Sequence, residues 1–496
     1  MSVHKKNIAL FLILLMLGAY LSCRRGIESV FDPPPLPRGV PLLHQGVTLV
    51  PESDRPLDFF IMGLNPEWET NFMLTDELRK KGFNESQLSE VDRNLYWLNF
   101  ELSHGAVMRF LPDYTHLFVA VPRLRNGKVC SGREESFFRE YLRVRCQWPE
   151  KRIRENIQFF CSPESLVWAQ DIGEILGRDT KNRAVIDVGS TGPTTKYRST
   201  IRTLAETFPK HFALKVLPEG INAEGGDEEI VWTPEGKPAL LVGRHRIQAF
   251  LEYRDGESYN GRPADPLAIA EARQAFSRAF YDLPVIIVPE AVLEKPALGH
   301  VDLFHLDMIT TVLHNHRHIP HAFVPTYESP AADSALDLPL KRNYISAVQR
   351  EYDLAADQLD EIGYQVIRLP FADHPVRGPV NFVKYYDRDR DRVVVLLPRY
   401  TYHLPHDSLH PRKRIQIAMT LLDDKAFEWH ERRDPSSYQA YLEAIQNLWN
   451  EMESAQKEPN PIFERQAALI RKAGYDVIGI PTYAWGSGGL HCQILR

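Results

Sequence analysis

Near its C-terminal end the chain carries Gly486-Ser487-Gly488-Gly489-Leu490-His491-Cys492, a thiol beside a glycine-rich turn. Glycines remove side chains where a ligand must approach the backbone. A thiol next to such an opening is a candidate nucleophile, with a buried cysteine after a turn as the plainer alternative. Upstream, Ala223-Glu224-Gly225-Gly226-Asp227 sets two carboxylates around a Gly-Gly turn. Carboxylates suit a planar cation with several N–H donors because they accept hydrogen bonds in parallel pairs, although the same residues also make an ordinary surface turn. The segment Gly299-His300-Val301-Asp302-Leu303-Phe304-His305-Leu306-Asp307-Met308 holds His-x-Asp twice. Residues two apart on a strand face the same way, so either His300 with Asp302 or His305 with Asp307 presents an imidazole and a carboxylate together. The two pairs point to opposite faces of a regular strand, and only one of them lines a site there. Trp168-Ala169-Gln170-Asp171-Ile172-Gly173-Glu174 adds a carboxylate between an aromatic and a glycine.

These segments need a scaffold that brings them together. Short apolar strands closed by proline recur along the chain: Phe118 to Pro122, Leu214 to Pro218, Val285 to Pro289, Val366 to Pro370 and Val477 to Pro481. Two copies match closely, Ile362-Gly-Tyr-Gln-Val-Ile-Arg-Leu-Pro370 and Ala473-Gly-Tyr-Asp-Val-Ile-Gly-Ile-Pro481. Each follows a stretch with apolar residues at helical spacing, 343 to 361 and 462 to 472, and leaves it through a glycine suited to a C-cap. Three of the four chemical segments follow such strand ends, where loops place active sites. Repeated units predict a pseudosymmetric α/β domain rather than a Rossmann sheet.

Composition sets the outer limits. With 496 residues, 44% apolar and 25% charged, the chain is ordinary globular material. A net charge of −6 argues against a nucleic-acid partner, which needs clustered Lys and Arg to replace phosphate counterions. Cysteines stand at 23, 130, 146, 161 and 492 with no Cys-x-x-Cys pair, so no zinc site is expected. His4-Lys5-Lys6 and the apolar run Ile8 to Leu21 read as a signal segment, too short for a bilayer span. Leu21-Ser22-Cys23 resembles the lipobox of bacterial lipoproteins, with Tyr20 where the pattern has leucine, which implies lipidation of Cys23 and attachment to a bacterial cell envelope; plain secretion and an uncleaved anchor are the alternatives. The expected organisation is a signal over 1–23, a proline-rich arm over 24–90 and a catalytic domain over 91–496.

In this order the four chemical segments resemble the pentein superfamily of arginine, agmatine and peptidylarginine deiminases, dimethylargininase and amidinotransferases. Trp168 to Gly173 is similar to the agmatine deiminase element, with Gln170 in place of arginine. Glu224 to Asp227 is similar to the Glu-Gly-Gly-Asp element, Gly488 to Cys492 to the terminal Gly-Gly-x-His-Cys, and Asn381-Phe382 to a segment of the fourth blade. The resemblance implies the pentein fold, a five-bladed αβ propeller, and a deiminase converting a guanidinium to a ureido group. Cys492 is then the nucleophile, His305 with Asp307 (or His300 with Asp302) the acid–base pair, and Asp171 and Glu224 the supporting carboxylates. Burial favours His305 and Asp307, because both would fall within the buried strand if His300 led it. Trp168, Asp171, Asp227 and Arg246 are expected against the substrate, and no cofactor is required. An amidinotransferase with the same covalent intermediate and a noncatalytic envelope binding protein are the alternatives.

Overall fold

The computed structural model describes residues 42–44, 46–64, 93–94, 96–98, 100–101, 105–122, 132–162, 173–189, 198–221, 226–259, 262–295, 305–315, 319–328, 339–371, 378–400, 418, 421–422, 424–425, 428–429, 431–432 and 434–482. All of them belong to one unit, Leu42–Arg496. In chain order the principal elements are β1 (Leu42–His44), β2 (Val47–Leu49), β3 (Phe59–Gly63), β4 (His116–Pro122), α1 (Gly132–Val144), α2 (Glu150–Asn156), β5 (Ile157–Ser162), β6 (Glu174–Asp179) and β7 (Ala184–Val188). There follow α3 (Arg198–Thr207), β8 (Phe212–Val216), β9 (Glu228–Trp232), β10 (Pro238–Gly243), α4 (Arg244–Asp255), α5 (Pro266–Ala279) and β11 (Val285–Val288). The chain continues through β12 (Thr311–His314), β13 (Pro320–Tyr327), α6 (Pro339–Ile362), β14 (Gln365–Phe371), β15 (Val383–Asp387), β16 (Arg392–Tyr400), α7 (Pro435–Lys457), α8 (Pro461–Lys472) and β17 (Asp476–Thr482).

The fold is mixed α/β, with five small sheets, four of them built on a repeated plan. Four units consist of an antiparallel pair, a helical crossover, and a third strand running parallel to the second of the pair. They are β6-β7-α3-β8, β9-β10-α4-α5-β11, β12-β13-α6-β14 and β15-β16-α7-α8-β17. The first unit, β3-β4-β5, is parallel throughout. Strands β1 and β2 extend the second sheet at β6.

Side chains alternate across a strand, so a sheet buried on both faces needs apolar residues at nearly every position. That pattern is present, and it links each sheet to two others. In β16, Val394 and Leu396 pack with Phe60 and Val119 of the first sheet. Val393 and Val395 on the other face pack with Leu313 and Phe323 of the fourth. In β10, Leu240 and Val242 meet Leu176 and Val185 of the second sheet, while Ala239 and Leu241 meet Val312 and Val324 of the fourth. Ile61 and Phe118 join Ile175 and Ile186 to link the first sheet to the second. Following the shared clusters from sheet to sheet therefore returns to the start. Each such side chain contributes roughly 1.5–3 kcal/mol by leaving water.

Three tyrosines repeat one device. Tyr281, Tyr364 and Tyr475 each stand just before the last strand of their unit and reach the preceding sheet. Tyr281 donates to Asp187 at 3.0 Å, Tyr364 to the Trp232 carbonyl at 3.0 Å, and Tyr475 pairs with His321 Nδ1 at 2.9 Å. Outside the five sheets, Trp429, Tyr441 and Leu448 form a satellite cluster with Leu98.

Every proline-closed run predicted from the sequence lies in or at the end of a strand, one in each sheet. The first of them is the middle strand of its unit. That unit closes on β5, whose apolar run is interrupted by the exposed Gln158. Gly363 and Gly474 adopt φ of 105° and 98° at the ends of α6 and α8, as a C-cap requires. Residues 46–64 differ from the expected arm, since β2 and β3 are strands of the second and first sheets. The prolines around them masked the short apolar run Phe59-Phe-Ile-Met, of which Phe60, Ile61 and Met62 are fully buried. The signal segment and Cys23 lie outside the described residues, among which no helix is long and apolar enough to cross a membrane.

Candidate functional site

The residues just before β9, β12 and β15 meet one another. Gly226 sits in the turn before β9 with φ of 96°, a backbone conformation that only glycine adopts without strain. Its carbonyl accepts the Asp307 N–H at 2.8 Å. A Cβ at this position would stand 3.0 Å from Asp307 Oδ2, so the absent side chain also makes room for that carboxylate.

Asp227 is fully buried and fixes the same turn from the other side. Its Oδ1 accepts the Leu306 N–H at 3.0 Å, and its Oδ2 accepts Arg246 Nε at 2.7 Å. Asp227 and Arg246, both expected against the substrate, are thus paired with each other in this turn. Gly243 completes the packing, because a Cβ there would come within 2.9 Å of Asp227 Oδ1.

His305 has an extended backbone, but Leu306–Met308 form a 3-10 turn, and β12 begins only at Thr311. The shared strand face expected for His305 and Asp307 is therefore not what brings them together. The turn does so, leaving His305 Nδ1 and Asp307 Oδ1 4.0 Å apart, both side chains buried. Asp307 Oδ2 accepts Asn381 Nδ2 at 2.7 Å. Asn381 is itself fully buried, two residues before β15.

Acidic groups surround this arrangement. Glu174 opens β6 and Glu228 opens β9, both buried. Burial first, then the neighbouring Asp227 and Glu174, push the Glu228 carboxyl well above the usual carboxylate range, against the pull of His305. Asp307, Glu228, Glu229, Glu52 and Lys384 line one cavity together with Gly226. Within it Lys384 is paired with Glu229 and Glu52, and Glu228 holds its proton more tightly than an ordinary carboxyl group. Sequence reasoning singled out Asp307 and Gly226 but missed Lys384, Glu229 and Glu52. Glu52 falls in the stretch expected to be an arm, Glu229 and Lys384 lie in strands outside the proline-closed runs, and none belongs to a short motif. Asn381 was noticed only through the resemblance.

Cys492, Asp171, Trp168, Gln170, Glu224, His300 and Asp302 lie outside the described residues. Among the described cysteines, Cys161 is disulfide-bonded and Cys146 carries a free thiol. Burial, reinforced by Glu101 and opposed by Arg109, pushes that thiol up to about 12, so it is not a thiolate at neutral pH. No group of three His, Cys, Asp or Glu side chains among the described residues is placed to hold a metal ion. In comparisons with known proteins, the chain matches no family model and no curated sequence.

Proposed function

We propose that the chain is a guanidine deiminase built as a five-bladed αβ propeller of the pentein type, with Asp307 in its substrate site. The observation that carries the reading is the constellation at Asp307. Its carboxylate is held by Asn381 and its backbone N–H by the Gly226 carbonyl, beside His305 and next to a cavity whose lining includes three further carboxyl groups. The propeller reading is supported by five sheets, four of them on one plan, whose shared clusters link each to two others.

A guanidinium carbon is a poor electrophile because its charge is delocalised, so the enzyme must hold the cation and supply a strong nucleophile. Asp307, with Asp171, grips the guanidinium nitrogens by paired hydrogen bonds. Cys492 attacks the central carbon as thiolate, its proton affinity lowered by the adjacent cation. His305, supported by Glu224, protonates the departing nitrogen, and ammonia leaves a thiouronium on sulfur. His305 then takes a proton from water, whose oxygen adds to the same carbon. Collapse breaks the C–S bond, regenerating the thiolate and releasing the ureido product. One water is consumed and one ammonia formed, with no change in oxidation state. The signal segment and Cys23 belong to this reading as a lipid anchor to a bacterial envelope.

The test is release of ammonia and ureido product by the full chain on free arginine, agmatine and an arginine-containing peptide, with Cys492→Ala as control. Turnover abolished by the substitution supports the deiminase. Silence on all three, together with resistance of Cys492 to a haloacetamidine, removes it.

A further inference from the structure

Beneath Asp307 lies a second polar cluster that the proposed chemistry does not use. Lys384 on β15 is 1% exposed. Its ammonium donates to Glu229 on β9 and to Thr311 Oγ1 on β12, and stands 3.4 Å from Glu52 Oε2 in the turn before β3. An ammonium has three protons, and here three oxygen partners come from three separate segments. Thr311 in turn donates to Glu229 Oε2 at 3.3 Å, which closes the cluster.

The sequence offsets tie this tripod to the site above it. Asn381, which holds the Asp307 carboxylate, precedes Lys384 by three residues on the same segment. Gly226, whose carbonyl holds the Asp307 N–H, precedes Glu229 by three. Asp307 precedes Thr311 by four. Every segment that meets at Asp307 is therefore pinned to the other two one step below it. Burying an ion pair is weak evidence of stabilisation, because desolvation offsets most of the attraction, and fixing register is its best-attested use.

We infer that Lys384 is a positioning residue for the guanidinium site: through Glu229 and Thr311 it sets the spacing of the strands that aim Asp307. The inference rests on the deiminase reading and deepens it. Lys384 does not touch substrate; it acts through Asp307.

Two variants test this in the full-length protein. Lys384→Met removes the ammonium that Glu229 and Glu52 share, although Arg55 stays 3.6 Å from Glu52, and lowers stability as well as position. Thr311→Val removes one tripod oxygen while keeping side-chain volume, so it keeps the test open if Lys384→Met folds poorly. Turnover is normalised to sites counted by alkylation of Cys492. The expected result is a fall in kcat/KM of about tenfold or more for Lys384→Met and about threefold for Thr311→Val, carried largely by KM. A second readout is the rate of Cys492 alkylation by cationic 2-chloroacetamidine relative to neutral iodoacetamide. That ratio falls in both variants if the aim of Asp307 is lost, whereas a purely structural role lowers Tm and leaves it unchanged. The Asn381→Ala substitution is expected to be non-additive with Lys384→Met, because both act on one carboxylate. Variants that keep the wild-type ratio and kcat/KM overturn the positioning role while the deiminase reading stands. A wild-type protein that neither turns over guanidines nor prefers the cationic reagent removes both together.

Discussion

Gly226 and Asp307 share a space that admits only one side chain: a Cβ on residue 226 would lie 3.0 Å from Asp307 Oδ2. Gly226 also has φ of 96°, so alanine there pays for backbone strain as well as crowding. Gly236 offers the control, with φ of 73° and nothing within 4 Å of where its Cβ would stand. Gly226→Ala and Gly236→Ala are each expected to lower stability by about 1–2 kcal/mol through strain. Only Gly226→Ala should also lower kcat/KM, by tenfold or more, because it moves the carboxylate. Equal activity in the two variants would remove Asp307 from the site.

Asn381 donates to Asp307 and is fully buried, so its replacements separate loss of a donor from gain of a charge. Asn381→Ala should cost about 1–3 kcal/mol in kcat/KM terms as the buried carboxylate loses its partner. Asn381→Asp places a second carboxyl within hydrogen-bond distance and raises the proton affinity of the pair. Its pH–rate profile should shift upward on the acid limb, and the Ala variant should not show that shift. Superimposable profiles for the two variants would count against Asp307 acting as an anion.

Much of the scaffold was legible because a strand buried on both faces is written as an unbroken apolar run, as in Val285-Ile-Ile-Val288. The helix exits at Gly363 and Gly474 were legible for a similar reason, since a left-handed C-cap nearly demands glycine. What escaped was long-range. Nothing near Lys384 announces that its partners are Glu229 and Glu52, because a buried charge is compensated by residues brought close only by the fold. The His305–Asp307 pair was found by its spacing, but for a reason that the 3-10 turn replaces.

Arg246, expected against the substrate, is also a partner of a buried carboxylate. Its Nε is committed to the buried Asp227, which in turn holds the Leu306 N–H beside the site. Removing one partner of a buried pair typically costs about 3–5 kcal/mol. Arg246→Ala should therefore lower Tm and depress turnover of arginine and agmatine by the same factor. A loss confined to arginine would instead show that Arg246 binds the substrate carboxylate, which agmatine lacks.

Asp187 carries the clearest pH signature. It is fully buried on β7, accepts from Tyr281 at 3.0 Å and lies 3.5 Å from Lys215 Nζ. Burial pushes its carboxyl up to about 7, outweighing the opposing pull of Lys215 and Tyr281. Because the folded state holds this proton more tightly than the unfolded chain, folding binds protons between about pH 4 and 7. Stability from this group is therefore complete below about pH 4 and is lost as pH rises towards 7, by an amount on the order of a few kcal/mol. Glu228, raised by burial and by Asp227, adds a slope of the same sign. Asp187→Asn cannot ionise and keeps an oxygen for Tyr281, so its denaturation midpoint should fall less steeply across that window. Glu228 contributes to the residual slope, as does Asp58, also raised by burial, so the slope should flatten further in Asp187→Asn/Glu228→Gln. Parallel midpoint–pH curves for wild type and Asp187→Asn would mean that Asp187 stays ionised throughout, with Lys215 as an effective counter-ion.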